Sequence, residues 1–264
     1  MASPRDDLDE QIRRNVSTQR SRDEFAGHRA QVMQLLASAA EACTSAAPRL
    51  LLLGAGNCND VDLPQLAGQY AQIHLVDWDA AALERGVAEQ QLTGNPGIFL
   101  HASVDLTDVR VSLPTAEVVA SLCLLSQLIE AAAQRHPAGS AEQAHAILST
   151  VREHLRRIVD QLEPGGVGVL VTDFATSQTA PQLATAAPEE LPKVVSSLLQ
   201  AGNFFRGLHP GGLFQLLTRD AWFASRVSCQ IPRSPWNWQV GKRVYAVSAL
   251  VMRRTTANTG KVEP

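Results

Sequence analysis

The sequence predicts a doubly wound α/β domain: a mostly parallel sheet between two helical layers, with an antiparallel terminal strand. Three observations predict it. Short β-rich apolar runs alternate with longer amphipathic stretches, the pattern of βαβ units around a parallel sheet. The run Leu50-Leu51-Leu52-Leu53 leads straight into Gly54-Ala55-Gly56. Asp77 then closes the next apolar run, about 20 residues after the glycines, the distance at which a nucleoside-binding α/β sheet places an acid.

Taken in order, residues from about Arg22 to Ala42 read as a helix, with Phe25, Val32, Leu35, Leu36 and Ala39 at helical spacing. Residues 1–45 are expected to form a helical cover, frayed from Met1 to about Val16, and residues 46–264 the main domain. Leu50 to Leu53 has no polar residue and fits a central strand buried on both faces. Gln72 to Val76 is the second strand, and Asp79 is placed to cap a helix running to about Leu92. Thr93 to Gly97 is a loop by composition. Ile98 to His101 and Glu117 to Leu122 follow as strands three and four. A long amphipathic helix from Ala141 to Leu162 is stopped by Pro164-Gly165-Gly166, and Val167 to Thr172 is strand five. Ala175 to Pro192, rich in Ala, Thr, Pro and Gln, reads as a surface loop or lid with a short helix at most. Three of the four tryptophans lie after Phe204, and Arg226 to Arg254 reads as an antiparallel strand pair. The segment from about 175 to 240 is therefore the variable, aromatic part. Thr255 to Pro264 is expected to fray.

Bulk properties narrow the function. A chain of 264 residues, 45% hydrophobic and 19% charged, suits one large globular domain. The formal net charge is -3, and no basic block suggests a nucleic-acid track. Cys43, Cys58, Cys123 and Cys229 form no CxxC pair, so neither a zinc site nor a disulfide framework is expected. The first residues lack a signal-like apolar stretch, and the longest apolar runs fall short of the roughly 20 residues that cross a bilayer. A cytoplasmic protein without membrane contact is the expectation.

Glycine after a strand lets the chain turn sharply and lets a ligand approach without a Cβ in the way. Asp77, at the end of the second strand, is placed to accept from ribose hydroxyls; a helix-capping role is better filled by Asp79. A nicotinamide-binding loop needs glycine at position 59, and this chain has Asn59. Cys58-Asn59-Asp60 instead offers polar groups suited to an ammonium and a carboxylate.

At these residues the chain resembles the class I S-adenosylmethionine-dependent methyltransferases, which have a Rossmann-like fold. The match comprises Leu51 to Gly56, Val76-Asp77-Trp78-Asp79, Ser103-Val104-Asp105, Ser121 to Gln127, and Leu162-Glu163-Pro164-Gly165-Gly166. These cover about Arg49 to Asp173 in the family's order. Two positions depart from the pattern: Leu52 stands where an acid is common, and Cys58 where a third glycine is common. The resemblance implies S-adenosylmethionine as cofactor. It places Gly54, Ala55 and Gly56 along the methionine portion, Asp77 on the ribose, Trp78 over the adenine and Asp105 at the adenine amino group. It puts Ser121, Leu122, Ser126 and Gln127 near the sulfonium. Asn59, Asp60 or Arg29 would compensate at the methionine end for the missing acid.

The acceptor side is expected in the tail. Gly202 to Gly211, Pro235-Trp236-Asn237-Trp238 and Tyr245 suggest a pocket for an aromatic or partly apolar small molecule, although packing alone would also employ these rings. His209 is the candidate base and Tyr245 a candidate for orienting the acceptor; a structural role for His209 stands beside the chemical one. His74, His101, His145 and His154 are assigned no chemistry, and no cluster has metal-ligand spacing. The resulting expectation is methyl transfer to a small-molecule N, O or S acceptor. The rivals are a cofactor-binding subunit or sensor without activity, an aminopropyltransferase, and an NAD-dependent oxidoreductase on the same fold.

Overall fold

Successive residues of a strand face opposite sides of its sheet, so four consecutive leucines require cover on both. Leu50, Leu51, Leu52 and Leu53 are all buried; Leu51 and Leu53 join one apolar core and Leu50 and Leu52 the other. The computed structural model describes residues 4–256 apart from residue 232.

The chain begins with helices α1 (Pro4–Thr18) and α2 (Ala26–Glu41). It continues through β1 (Arg49–Leu53), α3 (Leu63–Ala67), β2 (Gln72–Val76), α4 (Ala80–Glu89), β3 (Ile98–His101) and β4 (Ala116–Leu122). Helices α5 (Leu125–Gln134) and α6 (Ala141–Gln161) lead into the long β5 (Leu162–Thr176). A 3-10 turn (Pro181–Ala184), α7 (Leu191–Gln200), α8 (Pro210–Arg219) and α9 (Ala221–Ala224) precede β6 (Val227–Gln230), β7 (Trp236–Val240) and β8 (Arg243–Arg254).

The strands form one sheet in the order β3-β2-β1-β4-β5-β8-β6. The first five pair in parallel, and β8 runs antiparallel to β5. β6 and β7 share the outer edge of β8, β6 against residues 251–254 and β7 against 243–247. The doubly wound architecture with an antiparallel terminal strand is therefore present. From β1 the chain winds outward to β2 and β3, then returns to β4 on the other side. That reversal opens a crevice beyond the carboxyl ends of β1 and β4, the usual ligand position in such sheets.

Four local expectations are revised. Residues 4–18 form α1 rather than a frayed end, because its side chains and last carbonyls are hydrogen-bonded to the glycine loop and to α4's cap, as described below. The first long helix begins at Ala26 rather than near Arg22. Pro164-Gly165-Gly166 does not end the pairing: Ala116 faces Leu162 and Val118 faces Val167, so residues 163–166 bulge out of a continuous strand. Gly166 is required there, since a Cβ would stand 2.8 Å from the Glu117 carbonyl. The stretch after Gly202 is more regular than expected, with Pro210 at the first turn of α8, where its fixed φ favours a helix start. Residues 257–264, expected to fray, lie outside the described residues.

Candidate functional site

The loop after β1 owes its path to backbone conformations that L residues rarely adopt. Gly54 and Gly56 have φ of 74° and 48°, and Cys58 follows at 54°. Cys58 thus keeps the left-handed turn for which glycine is the common residue. Cys123 (φ 49°) and Ser103 (φ 57°) are also left-handed and follow the carboxyl ends of β4 and β3. Such residues concentrate where surrounding structure holds strain at a site.

Asp77 organises this loop. It is 2% exposed, its Oδ2 accepts the Gly56 N–H at 2.8 Å, and its Oδ1 accepts the Asp79 N–H at 2.9 Å. Burial raises its pKa, and the backbone N–H groups oppose that shift. Asp79 caps α4, as expected, through the Ala82 N–H at 3.1 Å. Its other oxygen accepts from Asn15 Nδ2 of α1 at 3.0 Å. Asn57 and Asn59 donate to the Asn15 and Thr18 carbonyls at 2.6 and 2.8 Å, sealing α1 over the loop.

Two joined cavities lie along the carboxyl edge of the sheet. The first, about 310 Å³, is lined by Asp77, Trp78, Asp105, Leu106 and Gln127, with α1 as roof. Asp105 Oδ1 accepts the Thr107 N–H and hydroxyl at 2.8 and 2.7 Å, so Oδ2 is the oxygen left to meet a ligand. The second, about 1160 Å³, runs past Ala55, Gly56, Asn59, Asp60 and Leu122 to Asp173 and Tyr245. Gly54, Arg14 and Gln127 line both.

Three of the residues singled out from sequence are elsewhere. Ser121 is fully buried with its Oγ 2.8 Å from His154 Nε2, so it faces α6, because residues of a strand alternate sides. His154, 3% exposed, is thereby a core histidine. Arg29 donates from Nη1 to the Arg22 and Asn59 carbonyls at 2.7 and 2.9 Å; it braces the loop from outside and does not line either cavity. His209 caps α8, accepting the Gly212 N–H at 3.1 Å, and packs edge-on to Phe204. It too is outside both cavities.

Several residues in the cavities carry no recognisable sequence signal. Glu10, Gln11 and Arg14 come from α1, and Asp173 from the end of β5. Ser126 Oγ donates to Asp173 Oδ1 at 2.6 Å. Beside the loop, Trp236 Nε1 donates to His28 Nδ1 at 3.1 Å. An indole can only donate, so the His28 proton sits on Nε2, 3.4 Å from Asp60 Oδ1. Trp238 stacks on His28 at 4.7 Å and lies 5.6 Å from Tyr245. Burial holds His28 neutral, with its pKa pushed down to about 3. Burial also pushes Asp60 up to about 7, against the lowering effect of the Arg29 charge and with the Asp173 carboxylate adding to the rise.

The Asp60 shift has a signed consequence. Its folded-state pKa exceeds the unfolded value, so the native state binds the proton more tightly, and stability falls as pH rises from about 4 toward 7. His28 acts oppositely: its depressed pKa makes stability rise with pH between about 3 and 6.5. Asp60→Asn removes the first effect alone. Thermal melts of the ligand-free protein should then show a Tm that gains more, or loses less, between pH 5 and pH 7.5 than the wild type does. Parallel profiles for the two proteins would refute the assignment.

Among the described residues, no group of three or more His, Cys, Asp or Glu side chains could hold a metal ion, and no helix is long and apolar enough to cross a membrane. No family model matches the sequence, and comparison with curated proteins returns no match. Solved structures do match. The plantazolicin methyltransferase BpumL, in complex with a monoazolic desmethylPZN analog and SAH, superposes with a TM-score of 0.54 at 11% identity, over 92% of this chain and 90% of that chain. The chain has the class I methyltransferase fold. A second likeness is to magnesium protoporphyrin IX methyltransferase (ChlM) from Synechocystis PCC 6803 with bound SAH, with a TM-score of 0.51 at 12% identity, over 88% and 86% of the two chains. What is shared is the backbone architecture. In this chain the cavities lie over the β1–β4 crevice and α1 covers them.

Proposed function

We propose that this chain binds S-adenosylmethionine along the two joined cavities and transfers its methyl group to a small-molecule N, O or S acceptor. One observation carries the reading. Two cavities that share Gly54, Arg14 and Gln127 in their walls follow one another from Asp105 and Asp77, past the left-handed glycine loop, to Asp173 and Tyr245. That order of groups suits an adenosyl group, an amino-acid tail and a second substrate.

The residues fit such a ligand. Trp78 and Leu106 offer flat and apolar walls in the first cavity, with Asp105 Oδ2 available to an amino group. The backbone of Gly54 to Gly56 permits close approach beneath the amino-acid tail. Asn59 Oδ1 and Gln127 Oε1 are buried without a hydrogen-bond donor, and Asp60 Oδ1 faces only His28 Nε2 at 3.4 Å; an ammonium supplies donors to such acceptors. When bound, the cofactor supplies an electrophilic methyl carbon on a sulfonium. The protein's part is to hold an acceptor atom in line with that carbon and to exclude water. α1 provides the exclusion, and Tyr245 lines the acceptor end.

Calorimetry tests the reading. SAH should bind with a micromolar Kd while NAD(H) gives no heat; the reverse result would refute it. Binding of SAH combined with repeated failure to transfer radioactive methyl to any component of a cell extract would favour the non-catalytic subunit or sensor.

A further inference from the structure

We propose that the methyl acceptor is a small amine entering as its ammonium ion, and that Asp173 is the side chain that binds it and takes its proton. The proposal rests on the methyltransferase reading above and names the substrate class of that site.

Asp173 is 6% exposed and lines the second cavity. A carboxylate withdrawn from water this far calls for a counter-charge or a full set of donors. Among the described residues it forms no ion pair, and its side-chain partner is the Ser126 hydroxyl. Four other acidic side chains line the cavity, Glu10, Glu24, Asp60 and Glu130, and the charges of Asp60 and Glu130 act against that of Asp173. Asn59, 5% exposed and lining the same cavity, has an Oδ1 with no donor, and Asp60 Oδ1 faces only the His28 Nε2–H at 3.4 Å. Two carboxylates and an amide oxygen with few donors around one cavity are complementary to N–H groups bearing positive charge.

The aromatic part of the wall suits a cation. Tyr245, Trp238, Phe205 and Phe25 line the cavity, and ring faces attract ammonium groups. Lys242, Arg206 and Arg243 line it from the α7–α8 connection and the β7–β8 turn, with Glu24 of the α1–α2 connection among them. Arg14 lines it as well, but is paired with Glu10 and Glu130. An anionic acceptor would meet the Asp60 and Asp173 carboxylates inside. A neutral alcohol brings a single O–H.

There is room for both molecules. A volume of about 1160 Å³ exceeds the roughly 300–1,000 Å³ of pockets that hold one small ligand. Asp60 and Asn59 belong to the glycine loop and lie beside the expected amino-acid tail. Asp173 lies one strand beyond β4 and serves the second molecule. Burial raises its pKa to about 6, with the Ser126 hydroxyl opposing, so the group is near neutral proton-transfer range.

The chemistry balances. The ammonium gives one proton to the Asp173 carboxylate, leaving a neutral amine and a carboxylic acid. The nitrogen lone pair forms the new N–C bond as the C–S bond breaks and its electrons return to sulfur. The products are a methylammonium ion and S-adenosylhomocysteine, and the carboxylic acid then releases its proton to water.

Titration of the SAH-saturated protein with 2-phenylethylamine, its isostere 2-phenylethanol and 3-phenylpropanoate provides the test. The amine should bind about tenfold or more tightly than either analogue, the ratio expected of a charge-assisted hydrogen bond. In Asp173→Asn that preference should shrink about tenfold, while SAH still binds and so reports an intact fold. Failure of SAH to bind the wild type would overturn the methyltransferase reading and the proposal together. The proposal alone is overturned if SAH binds but no amine binds in the millimolar range, if alcohol or acid binds as well as amine, or if Asp173→Asn weakens SAH about tenfold and leaves the amine preference unchanged. The wild-type comparison decides the matter even if the variant does not fold.

Discussion

Asp77→Ala should destabilise the ligand-free protein by about 2–4 kcal/mol and reduce SAH affinity at least tenfold. The carboxylate accepts two buried backbone N–H groups, from Gly56 and Asp79. Alanine leaves both without a partner, at about 1–3 kcal/mol each. The first of these donors belongs to the glycine turn itself, so the loss is felt where the cofactor's amino-acid tail would lie. A ribose contact from the same carboxylate would add a further charged hydrogen bond, about 1.5–3 kcal/mol. Asp77→Asn separates the two contributions. Its single carbonyl oxygen can serve one N–H, so it should recover part of the stability yet still bind SAH weakly. Urea denaturation and calorimetry measure the pair. Wild-type stability in Asp77→Ala would show that these hydrogen bonds do not hold the loop.

Gly86→Ala should cost about 2 kcal/mol although it replaces the poorest non-proline helix former with the best. Gly86 sits inside α4, where alanine gains about 1 kcal/mol by propensity. Its Cβ, however, would lie 2.6 Å from the Asn57 carbonyl oxygen and 3.0 Å from Cys58 Sγ. The first is a backbone atom and cannot rotate away, so helix and loop must separate; this puts the case at the upper end of the roughly 1–3 kcal/mol typical of overpacking, and the propensity gain offsets about 1 kcal/mol of it. The displaced segment also carries Asn57 and Asn59, which fasten α1, so SAH affinity should fall with stability. Gly27→Ala is the control: it is in α2 with nothing within 4 Å of the new Cβ, and should be neutral or slightly stabilising. A Gly86→Ala protein as stable as Gly27→Ala would remove this helix–loop contact from the account of the site.

Gly86 also explains an oddity of the motif. A dinucleotide-binding loop uses its third glycine for close helix packing. Here Asn59 occupies that position, and close approach between helix and loop is provided from the other side, by a glycine on the helix after β2. Nothing in the spacing of Gly86 from Gly56 announces this, since the contact is between backbone and a missing side chain.

What the sequence determined by itself was the set of elements whose cause is local. Leu50 to Leu53 has to be a doubly covered strand because no residue in it tolerates water. Gly54 and Gly56 mark a turn because few other residues accept its φ, and Asp79 caps its own helix three residues on. The order of these features along the chain predicted the β1–β4 crevice with Gly54, Gly56 and Asp77 along it; the family resemblance implied Trp78 and Asp105 there, and these residues line the cavities, as does Tyr245 from the aromatic tail. Tertiary structure alone decided which side chains turn into that crevice. Ser121 and Leu122 are neighbours in sequence, yet one bonds to His154 in the core and the other lines the cavity. His209, between Leu208 and Pro210 with Gly207 and Gly211 beyond, lies in a stretch with the composition of a mobile pocket loop but spends its Nδ1 on a helix cap. α1 is strongly polar and folds onto the site because Asn15 and Thr18 meet partners near residues 57–59 and 79, more than 35 positions away. Asp173 has no motif around it, and its character comes from burial and from facing Ser126 and Asp60 across a cavity. Long-range contacts of this kind depend on which surfaces the assembled sheet brings together, whereas hydrophobic runs, glycine turns and helix caps are settled within a few residues of chain.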